Sequence, residues 1–100
     1  MSKLRDDSVI PDGISREHVL AAIEDFVKNG YPTGYSKSHT YELIHEGNGY
    51  APPTILALAI KAMTGTVPAT KFRAGENTKC FEVLRNCGFS IQRINKSKSL

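Results

Sequence analysis

An α+β fold, with three helices packed on a small sheet of two or three strands, is what this sequence predicts. Three observations carry that expectation. Apolar residues recur at helical spacing between Ser15 and Gly30, between Pro53 and Gly65, and again over 78–86. Residues alternate between two faces over 40–45 and 89–94, with good strand formers among them, as in half-buried strands. Glycine and proline punctuate every boundary between these stretches. The expected order is α-β-(β)-α-α-β, in one domain over 14–94. An arm over 1–13 precedes it and a flexible basic tail over 95–100 follows. The chain has 100 residues, the size of one domain.

The first helix begins at Ser15, which can cap the free N–H groups, with Ile14 and Val19 placed as a hydrophobic staple. A full capping box needs Glu or Gln at position 18, and His18 stands there, so that half of the motif is expected to be missing. Val19, Leu20, Ile23, Phe26 and Val27 form the expected core face, and Gly30 ends the helix. A polar loop follows, with Tyr31, Tyr35, Lys37 and His39 in it. Tyr41, Leu43 and His45 alternate with Glu42 and Ile44 as a strand. Glu46-Gly47-Asn48-Gly49 reads as its turn, and Tyr50-Ala51 as a brief return. The second helix starts at Pro52-Pro53 and is apolar nearly all round, which predicts a central, buried helix with Lys61 as its single charge. Asn77 is the expected cap of the third helix, Gly88 its stop, and Phe89, Ile91 and Arg93 one face of a last strand.

Charge and cysteine content narrow the function. The net charge is +3, but residues 1–50 carry five cations against eight anions and residues 51–100 eight against two, giving −3 and +6. A basic half suggests a polyanionic partner, nucleic acid first. Cys80 and Cys87, seven apart on one expected helix, lie about 10 Å apart, beyond disulfide reach, and their spacing is not that of a zinc site. They read as two buried thiols in a reducing compartment. No apolar run approaches the ~18 residues of a membrane helix and no signal peptide opens the chain, so a cytoplasmic protein without membrane contact is expected.

No phosphate-binding Walker loop, catalytic carboxylate pair, nucleophile elbow or metal-ligand spacing occurs in the sequence, so neither cofactor nor metal is expected, and no enzymatic activity. The best binding candidate is the stretch Lys71, Arg73, Gly75, Asn77 and Lys79. A glycine-bearing loop there leads cations to a helix start, where N–H groups and partial positive charge favour a phosphate. A second candidate is the glycine turn, where Asn48 could read a base edge and Tyr50 stack on a base. Lys61 joins the DNA-binding candidates as a cation, and Lys96 and Lys98 add nonspecific charge. His45, beside Glu46, reads as a structural histidine.

The segment Tyr41-Glu42-Leu43-Ile44-His45-Glu46-Gly47-Asn48-Gly49-Tyr50-Ala51-Pro52-Pro53, with the Ala-rich helix after it, resembles the N-terminal domain of McrA-like, modification-dependent HNH restriction endonucleases. So does Phe72-Arg73-Ala74-Gly75-Glu76 continued by Leu84, Gly88, Phe89 and Ile91. The likeness runs from about Ser15 to Ile94. Thr54 stands where the family has Lys, and Ala74-Gly75 where it has Gly-Gly. The resemblance implies a DNA-handling accessory domain of a restriction or phage-defence system, with DNA (modified DNA included) as partner. It also implies that the nuclease lies in a separate domain, since His18, His39 and His45 do not make an HNH constellation. The alternative is a protein-interaction module, an anti-restriction or inhibitor factor that contacts an endonuclease and no DNA.

Overall fold

Helix α1 (Arg16–Asn29), strands β1 (Tyr41–His45) and β2 (Asn48–Tyr50), helices α2 (Pro52–Thr64) and α3 (Lys79–Asn86) and strand β3 (Ser90–Arg93) follow one another in a computed structural model that describes residues 9–38, 40–68 and 72–94. The sheet is antiparallel throughout, with β1 central in the order β2-β1-β3. The expected α+β class and element order are both found. His39, Lys71 and the tail over 95–100 lie outside the described residues, as do residues 1–8 of the expected arm. Of the described part of that arm, Ile10 is buried in the core, ahead of Ile14.

The start of α1 shows what an imidazole can do in place of a carboxylate. The His18 N–H donates to Ser15 Oγ at 3.4 Å, and the Ser15 N–H donates to His18 Nδ1 at 3.0 Å. Both halves of a capping box are present, contrary to the expectation from the sequence. An unprotonated ring nitrogen is an acceptor like a side-chain carbonyl, and position 18 brings it within reach.

Val19, Ala22 and Ile23 of α1 are buried and Phe26 packs against them, but Leu20 and Val27 are not core residues as expected. Val27 is 69% exposed. The stripe that meets α2 is only as wide as the 19, 22, 23, 26 row. Leu20 and Val27, two turns apart, form the next row round the helix.

The turn begins at Glu46 as expected but is two residues shorter than the four of Glu46-Gly47-Asn48-Gly49, and the return strand starts at Asn48, not Tyr50. Glu46 (φ 50°) and Gly47 (φ 81°) make a two-residue loop between paired His45 and Asn48. Positive φ at both positions gives the twist that a tight hairpin needs. Asn48 is therefore a strand residue. A turn at 48–49 would carry Pro52 into the ladder opposite His45, where it has no N–H to donate. The register found pairs Leu43 with both Tyr50 and Ile91.

Helix α2 is buried from Thr54 to Ile60 without interruption. The inner sheet face meets α3 through Tyr41, whose ring stands edge-on to Phe81 at 5.2 Å. Cys80 is buried as expected, but Cys87 at the end of α3 is only half-buried, and the two form no disulfide. Burial pushes the Cys87 thiol up, with Arg16 pulling the other way.

Arg16 ties the two ends of the chain together. Its guanidinium donates to the carbonyls of Cys87 (3.1 Å) and Gly88 (3.5 Å), at the negative end of α3, and lies over the Phe89 ring at 4.6 Å. On the far side of α1, Asp25 accepts from the Asn29 amide at 2.8 Å and from Lys61 of α2 at 3.2 Å. The Asn29 bond, and after it Lys61, holds the Asp25 carboxyl below its ordinary value of 3.8 against desolvation, which raises it.

Two outcomes follow for stability. Ser15→Ala costs about 1 kcal/mol in urea or thermal unfolding, whereas His18→Gln, which keeps an acceptor in place, stays near wild type. Asp25→Asn lowers stability at neutral pH by about 0.5 kcal/mol, as for a partly exposed pair. A lowered folded-state pKa gives stability that is complete above the unfolded value. The difference between Asp25→Asn and wild type therefore closes as the pH falls through the folded-state pKa, below 3.8, in a pH series of melts.

Candidate nucleic-acid interface

The loop before α3 is built to turn sharply. Gly75 (φ 137°) and Asn77 (φ 64°) both adopt positive φ, where glycine and asparagine carry the smallest penalty. Asn77 therefore does not cap α3 as expected. A residue at the N-cap needs extended backbone, and Thr78 (φ −106°, ψ 157°) occupies that position. Its hydroxyl donates backward to the Gly75 carbonyl at 2.6 Å and makes no cap bond to the helix. The N–H groups at the head of α3 thus lack a side-chain cap.

An open depression of about 530 Å³ lies along this helix, with Asn77, Thr78 and Lys79 at its head, Arg85 and Asn86 farther along, and Phe81 in its wall. Both cations that line it have acidic company. Arg85 holds Glu76 through two bonds, 3.1 and 3.4 Å, donates to the Ile91 carbonyl at 3.4 Å and lies 5.4 Å over the Phe81 ring. Lys79 donates to the Ile10 carbonyl at 3.4 Å and stands 3.7 Å from the fully exposed Asp12 carboxylate. Both pairs are open to water, where such contacts exchange readily with a phosphate. Glu76 is thereby held by Arg85 and does not face the loop as a lone negative charge.

The structure brings Asn77 and Lys79 together at the depression, with Gly75 in the turn leading to it and Arg73 exposed just before. Lys71 lies outside the described residues. The other candidates sit elsewhere. Asn48 is exposed on the edge strand β2, and Tyr50 is half-buried with its ring edge-on to Phe26 of α1 at 5.8 Å. Lys61 is paired with Asp25 across α1 and α2. His45 stands 3.8 Å from Glu46 and tilts against Phe89.

Sequence reasoning missed Arg85 as a member of this site. Its signal was present: on a helix starting at 79, positions 79, 82 and 86 share one face and 85 adjoins it. Arg16 gave no local signal, because its partners lie 71 and 72 positions away. Among the described residues no group of His, Cys, Asp and Glu could hold a metal ion, and no helix is long and apolar enough to cross a membrane.

Neither a curated protein nor a solved structure matches the chain. A family model does: that of the ScoMcrA-like N-terminal head domain matches residues 12–93, from the Asp12 that faces Lys79 to the end of β3. The match takes in all three helices and all three strands, together with the α3 loop, and agrees with the likeness seen in the Tyr41–Pro53 and Phe72–Ile91 segments. This chain belongs to the ScoMcrA-like N-terminal head domain family.

Proposed function

We propose that this domain is a non-catalytic DNA-binding module of a restriction system, which grips the phosphate backbone at the loop and helix start spanning Lys71, Arg73, Gly75, Asn77 and Lys79. The observation that carries the reading is the head of α3. It has no side-chain cap, and Arg73 and Lys79 stand before and at its first turn. Partial positive charge, N–H donors and the Lys79 cation meet there, the combination that suits a phosphate oxygen. Membership of a head-domain family supports the division of labour, with strand cleavage left to a separate nuclease domain.

Contacts of this kind position a protein on a duplex without reading its sequence. Discrimination of a modified base would need a second element. Asn48, exposed on edge strand β2, is the candidate of the glycine turn that keeps its polar groups at the surface.

Fluorescence-anisotropy titrations with plain and cytosine-methylated duplexes at two salt concentrations test the proposal. Binding should weaken steeply with salt. Replacing Lys71, Arg73 and Lys79 together by Ala should cost about 1–3 kcal/mol and flatten the salt slope by about one unit for each phosphate that is no longer neutralised. Glu76→Gln should tighten binding, because it removes a negative charge and releases Arg85 toward the same phosphates. Unchanged affinity in the triple variant would sink the site. Absence of binding at low salt would sink the DNA reading itself and leave the protein-interaction alternative.

A further inference from the structure

The face of α1 that does not reach the core carries a second surface of opposite character. Leu20, 36% exposed, and Val27, 69% exposed, stand two turns apart on one row of the helix. They line an open groove of about 540 Å³ between α1 and the β1–β2 hairpin, closed on the hairpin side by Tyr50. Glu17 and Glu24, again two turns apart, and Glu46 at the hairpin tip are its charged lining residues. Among the described residues no Lys or Arg lines it.

We propose that this groove docks a basic amphipathic helix of a partner protein, its apolar side chains seated on Leu20, Val27 and Tyr50 and its Lys or Arg heads reaching Glu17, Glu24 and Glu46. Leu20 and Val27 offer two apolar seats in one row, and the carboxylates beside them supply the charge that a partner must match. Charge decides which partner. Nucleic acid is repelled by three carboxylates. A second copy meeting this face about a two-fold axis would set acidic rim against acidic rim. A helix with apolar residues at i, i+3, i+4 and i+7 and flanking cations satisfies both the floor and the rim. The two-turn spacing of both rows, about 10 Å along α1, matches two turns of such a helix.

The full chain is titrated against a fluorescein-labelled peptide of 14 residues, with Leu on one helical face and Lys on the other, and against the same peptide with Glu for Lys. The basic peptide should bind and the acidic one should not. Glu24→Lys with Glu46→Lys should weaken binding about tenfold or more. Val27→Asp is the decisive variant. It adds negative charge at a position too exposed to endanger folding, so it should weaken a seated helix severalfold but would strengthen simple charge attraction. Failure of the basic peptide to bind, equal binding of the acidic one, or Val27→Asp binding as tightly as wild type overturns the proposal. So does a concentration-dependent dimer that Val27→Asp abolishes, which would assign the face to a second copy. The Lys71, Arg73 and Lys79 triple variant should leave peptide binding unchanged, which separates this surface from the proposed DNA interface.

Discussion

Helix α2 has no face to give to solvent between Thr54 and Ile60, and the rest of the structure is arranged to cover it. Each of Ile55, Leu56, Leu58 and Ile60 gains about 1.5–3 kcal/mol from leaving water, but only if every side of the helix is enclosed. In a domain this small that demand takes most of the apolar surface available. Helix α1 closes one side, β1 and its neighbours another, and α3 a third. Chemistry that needs solvent is thereby pushed to the margins: the loop into α3, the hairpin tip and the outer rows of α1.

That arrangement also explains how the charge is distributed. Glu17 and Glu24 of α1 and Glu46 of the hairpin line one groove, while Asp25 of α1 faces Lys61 of α2. Arg73, Lys79, Arg85 and Arg93 lie on or beside α3 and β3. The carboxylates of the groove beside α1 all come from the first half of the sequence, whereas the depression along α3 mixes Lys79 and Arg85 with Glu76 and Glu82 of the second half. Cations on both sides are matched locally, Lys61 by Asp25, Lys79 by Asp12 and Arg85 by Glu76.

Much of this is legible in the sequence, and the reasons for the rest are physical. The unbroken apolar run of α2 fits only a buried helix, and the alternation of Tyr41, Leu43 and His45 fits only a half-buried strand. The turn stands where its signal is, but propensity leaves its length open between 46 and 49, and Pro52 two residues past Tyr50 decides the register. The cap of α3 shifts by one residue because Asn favours both an N-cap and the left-handed region, and the tight loop after Gly75 takes it for the latter. His18 escapes because a capping box is usually described by its carboxylates and amides, when what it needs is an acceptor. Leu20 and Val27 look like core because apolarity reports what a side chain prefers, not how wide the neighbouring helix is. At the site, Gly75, Asn77 and Lys79 can be grouped from local spacing alone, but Arg85's pairing with Glu76 depends on how the loop doubles back.

The start of α1 and the stretch before it are lashed to α3 and its exit at three points: the Ile10 carbonyl to Lys79, the Ile14 carbonyl to the Cys87 thiol at 3.5 Å, and Arg16 to the Cys87 and Gly88 carbonyls just past the helix. An eight-residue helix has almost no stability of its own in water. Helix α3 therefore owes its persistence to residues separated from it by most of the chain, and closing so long a loop precedes any reward. During synthesis the early segments must wait for the late ones. The edge that carries Lys79 and Arg85 is therefore set by both ends of the described chain at once, through the Ile10 carbonyl on one side and the Ile91 carbonyl on the other.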